Sequence, residues 1–111
     1  MQTATPNSKS GSRRYVTTAI PYVNAAPHMG FALELAQADT LARLYRLSGD
    51  DVRFLTGTDE NSIKNVQAAD LAGMPALELV ERNAARFQAL RESLDLSFDD
   101  FIRTSTDDFR T

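Results

Sequence analysis

Two short runs rich in β-branched and aromatic residues, YVTTAI at 15–20 and VRFLT at 52–56, are separated by a long segment whose apolar residues recur at helical spacing. No other feature constrains the chain as much. A strand, a crossover helix and a second strand make a βαβ unit, in which the strands are parallel and the crossover is right-handed. Both strands then end on the same edge of the sheet. In the intervening segment Phe31, Leu35, Ala38, Leu41, Ala42 and Tyr45 form one stripe, with Glu34, Asp39 and Arg43 off it. Pro21 stops the first strand, and PYVNAAPHMG at 21–30 reads as a loop that gives way to helix at or just after His28. Gly49 supplies the left-handed position that ends the helix, and Gly57 breaks any helix over the second run.

Downstream, residues 61–72 read as a helix closed by Gly73, with Pro75 as an early residue of another. Leu77, Val80, Ala84, Phe87, Leu90 and Leu94 form the apolar stripe of that helix, leaving Glu78, Glu81, Arg82, Arg86 and Arg91 as a solvated face. Residues 98–104 suggest a last short strand. The fold class is α/β, with a Rossmann-like parallel sheet in which the first strand is buried.

Composition narrows the function classes. A length of 111 residues implies one domain, and 12 basic against 15 acidic side chains give a net charge of −3, which excludes a generally basic nucleic-acid binder. Cysteine is absent, so disulfides, thiolate nucleophiles and cysteine-ligated metals are excluded, and His28 as the single histidine argues against a zinc site. No apolar run approaches the ~20 residues that span a bilayer, so no membrane partner is expected. Residues 1–14 contain no apolar core of a secretory signal and read as a disordered polar tail, and a cytoplasmic location is expected.

In an open parallel sheet, ligands bind in the crevice beyond the carboxyl ends of the strands. Two polar clusters fall there: the 21–30 loop, and GTDENS after the second strand. His28 and Gly30 stand where a helix begins, so backbone N–H groups and the positive end of the helix dipole suit an anion, with phosphate the natural occupant. A histidine there can donate to a phosphoryl oxygen. Gly30 lets a flat ring or a phosphate approach the backbone. By itself, a histidine beside a glycine is better read as a cap or a packing residue. For Asp59, the simple alternative to a binding role is N-cap of the following helix.

The order of the motifs changes that balance. Pro21-Tyr22-Val23-Asn24-Ala25-Ala26-Pro27-His28-Met29-Gly30-Phe31 after one strand, then Thr56-Gly57-Thr58-Asp59-Glu60 after the next, resembles the amino-terminal half of a class I aminoacyl-tRNA synthetase. The Ala19-Ile20-Pro21-Tyr22 lead-in and the Thr-Gly-Thr-Asp run are similar to the methionyl-tRNA synthetase family. The resemblance runs from about Tyr15 to Thr104. It implies that 15–111 is the amino-terminal part of a nucleotide-binding catalytic domain, and that methionine is activated with ATP and Mg2+ and passed to the methionine tRNA. His28 would then be catalytic and would contact ATP together with Gly30 and Phe31, while Ile20, Tyr22 and Asp59 would form the methionine pocket. Asp59 matches the acid that receives the α-ammonium.

The pattern departs from the family at two places. Phe31 stands where a second signature histidine is expected and cannot donate to phosphate, and Asn61-Ser62 stand where many members have His-Gly. The family's lysine-and-serine phosphate loop, its zinc-binding insertion and its anticodon-binding domain would lie beyond Thr111. The rest of a synthetase chain is therefore an expected partner, zinc is expected only there, and the 111 residues are expected to be inactive alone. An unpaired strand edge and bare apolar faces are also expected. Two other readings stay open: another class I synthetase or nucleotidylyltransferase sharing the His-x-Gly element, and a non-catalytic nucleotide- or RNA-binding module.

Overall fold

The computed structural model describes residues 11–106. Most of the polar tail, residues 1–10, and the end of the chain lie outside the described residues. The elements are β1 (Arg13–Thr17), α1 (Met29–Leu47), β2 (Asp51–Thr58), α2 (Ile63–Ala72), α3 (Ala76–Ser93) and β3 (Asp100–Arg103). The three strands form one sheet in the order β1-β2-β3, all parallel. Thr17 faces Leu55 across the first pair, and Thr58 faces Arg103 across the second. The expected βαβ unit is present.

Its first strand differs from expectation. β1 begins at Arg13 and ends at Thr17, and Val16 is its one buried side chain, with Tyr15 78% exposed. It is an edge strand among the described residues. An edge position tolerates Arg13 and Arg14 because their charged ends stay in water, and Arg14 pairs with Asp50, whose carboxyl is held below its ordinary value by that guanidinium.

β2 is the buried strand. Phe54 is fully buried and meets Phe98 edge-on at 6.2 Å, while Thr56 and Thr58 follow it into the interior. The strand runs through Gly57 to Thr58 rather than stopping at Thr56. A β-carbon at Gly57 would overlap the Ile102 carbonyl oxygen, so glycine here admits β3 and does not end the strand.

The core lies on one face of the sheet. Val16, Val52 and Phe54 pack against Phe31, Leu35 and Ala42 of α1, Val80, Ala84 and Phe87 of α3, and Leu96 and Phe98 before β3. α1 ends as expected, with Gly49 at φ 96°, a conformation that costs a residue with a β-carbon.

Two stripes need correcting. On α1 the buried positions are Phe31, Leu35, Asp39 and Ala42, while Leu41 is 42% exposed. Asp39 is inside because the turn at Ser97 needs an acceptor: Ser97 donates to Asp39 from its amide at 2.7 Å and from its hydroxyl at 2.6 Å. Burial disfavours the charged carboxyl, but Ser97 and Arg43 outweigh it and hold Asp39 below its ordinary value. On α3 the buried set is Leu79, Val80, Asn83, Ala84 and Phe87, with Leu77 and Leu94 turned outward. The helix packs against α2 as well as the sheet, which rotates the stripe. Pro75 stands as the N-cap of α3, just outside it, and α2 starts at Ile63, capped by the Ser62 hydroxyl, which accepts from the Lys64 amide at 3.1 Å. The last strand is shorter than 98–104 because Phe98 is drawn into the core before pairing begins. Among the described residues no helix is long and apolar enough to cross a membrane.

Candidate active site beyond the strand ends

The carboxyl ends of β1 and β2 are tied together past the end of regular pairing. Thr18 and Thr56 share a hydroxyl hydrogen bond of 2.7 Å, and the Ala19 amide donates to Glu34 on α1 at 2.7 Å. The chain then leaves the sheet at Ile20 and returns. The Asp59 amide donates to the Pro21 carbonyl at 2.8 Å, and Tyr22 and Asp59 form a parallel bridge. Two residues 37 positions apart thus become neighbours at the mouth of the crevice.

Beside them is a cleft of about 300 Å3 lined by Pro21, Tyr22, Asn24, His28, Phe31 and Phe87, with Ala25 and Ala26 completing it. Tyr22 is 45% exposed, whereas Val23 behind it is fully buried. Pro27 leads into His28, and Met29 points outward. Ile20 is half-buried at the turn and does not line the cleft; neither do Gly30 and Asp59.

His28 is the N-cap of α1. Its Nδ1 accepts from the Gly30 amide at 3.0 Å, and its carbonyl accepts from the Phe31 and Ala32 amides. The neutral tautomer that makes this bond carries its proton on Nε2, which is left to donate elsewhere. A β-carbon at Gly30 would stand 2.8 Å from His28 Cε1, so the glycine makes room for the imidazole itself. Phe31 is buried, with its ring 5.3 Å from that of Phe87. It floors the cleft with hydrocarbon.

Asp59 does not cap α2, since Ser62 does. Its Oδ1 accepts from the Asn61 amide at 3.0 Å and from the Thr104 hydroxyl at 3.5 Å, and no partner among the described residues reaches Oδ2. Asn61 also donates through Nδ2 to the Thr104 carbonyl at 3.3 Å. Lys64 approaches the Tyr22 ring, with Nζ 5.9 Å from its centroid.

Glu60 closes the Thr56–Glu60 run, and its role is structural. It is buried and receives Arg103 in a two-pronged pair, Nε to Oε2 at 2.7 Å and an Nη to Oε1 at 2.9 Å, with hydroxyl bonds from Ser105 and Thr58. Burial opposes its ionisation. The guanidinium and the two hydroxyls prevail, so the carboxyl titrates below its ordinary value. The cluster clamps the end of β2 to the end of β3 directly behind Asp59. A carboxylate followed 43 residues later by an arginine leaves no trace in local periodicity.

The donor sets do not fit a protein-held cation: among the described residues no three histidine, aspartate or glutamate side chains gather as ligands.

A parallel sheet whose first helix begins at a polar cleft beyond the strand ends defines a Rossmann-like α/β domain. The family described as "tRNA synthetases class I (M)" matches residues 14–111. Among curated relatives, the methionine–tRNA ligase of Mycobacterium leprae is 55% identical over 94 residues, covering 85% of this chain and 18% of the relative. That of Brucella suis is 50% identical over 96 residues, covering 86% and 19%. The solved Mycobacterium tuberculosis methionyl-tRNA synthetase in complex with methionyl-adenylate superposes with a TM-score of 0.86 at 53% identity, covering 88% of this chain and 19% of that one. The chain belongs to the class I tRNA synthetases of the methionyl type. It spans about a fifth of the length of the relatives it matches.

Proposed function

We propose that residues 15–111 form the amino-terminal part of the catalytic domain of a methionine–tRNA ligase, acting in the cytoplasm. They contribute one wall of the site in which ATP activates methionine. The methionine carboxylate attacks the α-phosphorus of ATP, pyrophosphate leaves, and the adenylate is then transferred to the 3′ ribose of the methionine tRNA. The observation that carries this reading is the bridge between Tyr22 and Asp59 beside the cleft that holds His28. It gathers both strand-end motifs at one crevice, and the likeness to a relative solved with methionyl-adenylate supports the same assignment.

In this reading His28 Nε2 donates to the phosphates as charge develops, and Gly30 and Phe31 lie on the adenosine side. Tyr22 and the backbone at Ile20 border the methionine, whose ammonium sits on the open oxygen of Asp59. Phosphoryl chemistry of this kind asks the protein mainly for positioning and charge stabilisation. Phe31 offers only apolar contact where the family's second histidine would donate, so His28 carries more of that work.

The test is a chimaeric enzyme in which residues 14–111 replace the matched segment of the M. tuberculosis synthetase. It should support ATP–pyrophosphate exchange that methionine alone among the amino acids stimulates. Exchange stimulated by a different amino acid would assign the chain to another class I enzyme. ATP binding with no exchange would leave a binding module. The 111 residues by themselves should show no exchange, and a rate comparable with a full-length synthetase would refute that expectation. In the chimaera, Asp59→Asn should raise KM for methionine by roughly 10- to 150-fold, the equivalent of losing a charge-assisted hydrogen bond of about 1.5–3 kcal/mol. Initial rates at varied methionine measure it.

A further inference from the structure

Two buried amides stand behind the cleft without lining it. Asn65 on α2 and Asn83 on α3 are each 1% exposed, and in each the side-chain oxygen has no hydrogen-bond partner among the described residues. Their nitrogens reach the two site loops. Asn83 Nδ2 donates to the Val23 carbonyl at 2.7 Å, across 60 positions of sequence, and Asn65 Nδ2 donates to the Asp59 carbonyl at 3.4 Å. A half-satisfied amide inside an apolar interior is less favourable than a hydrocarbon side chain of the same size. Asn83 stands between Val80, Ala84 and Phe87, where a leucine would otherwise serve. The favourable half of its environment is the bond to Val23.

That bond has a definite target. Val23 is fully buried and follows Tyr22 directly, and among the described residues Asn83 makes the one hydrogen bond that the Val23 carbonyl accepts. Without a donor, a buried carbonyl must find water or another partner. The loop would turn to bring it there. That carbonyl lies one residue past the Tyr22–Asp59 bridge, so a rotation at Val23 would displace the loop that carries Tyr22 and loosen its pairing with Asp59.

We propose that Asn83 is a positioning residue: by holding the Val23 carbonyl it fixes Tyr22 in its bridge to Asp59, and so sets the affinity of the site for methionine. The inference rests on the functional reading above. It concerns the methionine side of the cleft, since His28 is held separately by its own cap on α1.

The test uses Asn83→Leu in the chimaeric enzyme, which removes both the donor and the orphaned oxygen while keeping the same branched skeleton. KM for methionine in pyrophosphate exchange should rise about tenfold, the equivalent of about 1.4 kcal/mol, while KM for ATP stays within about twofold and the melting temperature falls by no more than a few degrees. The Asp59 amide, which donates to Pro21, should exchange its hydrogen faster in the variant. Asn83→Asp supplies a second readout. Its buried carboxyl, with a pKa raised by desolvation, donates to Val23 when protonated and repels it when ionised. Methionine affinity should therefore be close to parental in acid and fall as pH rises, a dependence the leucine variant lacks. An unchanged methionine KM, an equal rise for ATP, or unaltered exchange at Asp59 would overturn the proposal. If the unsubstituted chimaera shows no methionine-dependent exchange, the functional reading fails, and protection of the Asp59 amide still decides whether Asn83 anchors the loop.

Discussion

Replacing Glu60 with glutamine should destabilise the 111-residue chain by about 3 kcal/mol at neutral pH, at the lower end of the roughly 3–5 kcal/mol seen when one partner of a buried ion pair is removed. The lower end applies because Arg103 keeps 27% of its side chain exposed and can turn toward water, whereas the Glu60 side chain has no exposure. Glutamine retains an acceptor for Ser105 or Thr58 but cannot match both prongs of the guanidinium. The clamp between the ends of β2 and β3 then loosens, and with it the seat of Asp59. Urea unfolding of the two chains measures the difference.

The pH dependence has a fixed sign. Glu60 titrates lower in the folded chain than in the unfolded one, so its contribution is complete above the unfolded value, near pH 4.3. It is lost as pH falls through the lower folded value. The gap between parent and Glu60→Gln should therefore be widest at neutral pH and close in acid, where the parent carboxyl becomes neutral too. A gap that widens on acidification would contradict the pairing.

The second large effect is on the chemistry. His28→Ala in the chimaeric enzyme should lower the methionine-dependent exchange rate by about 100- to 1000-fold, the range for removing one preorganised donor, about 2.7–4 kcal/mol. The imidazole also caps α1, so alanine alone would confuse two losses. His28→Asn separates them. Its side-chain oxygen accepts from the Gly30 amide as Nδ1 does, keeping the helix start intact, but it has no group at the place of Nε2. Both variants should lose exchange, and only the alanine variant should also lose about 0.5–2 kcal/mol of stability. Activity retained in His28→Asn would reduce the histidine to a cap.

Much of this molecule was legible from local signals. The βαβ unit followed from strand-length β-branched runs flanking a helical period, and the ends of α1 and α2 followed from Gly49 and Gly73. The motif residues could be assigned to one sheet edge because parallel strands must end together. What local pattern could not supply was the identity of buried polar residues. In sequence Asp39 lies off the apolar stripe, because a carboxylate interrupts it, and only the arrival of Ser97, 58 positions later, explains its burial. The roles of Asn83 and Glu60 likewise depend on partners 60 and 43 positions away. Tyr15 erred the other way, since an aromatic β-former on an edge strand looks in sequence like one at a sheet centre.

The sequence by itself determined the parallel topology, the crevice edge and the residues gathered near it, because period, turn chemistry and strand direction are set by neighbours in the chain. Tertiary structure alone decided how those residues are held. The Tyr22–Asp59 bridge, the Glu60–Arg103 clamp and the Asn83 bond to Val23 join positions 37 to 60 apart. Such polar contacts form only where burial has removed water as the competing partner, and that condition is a property of the packed fold.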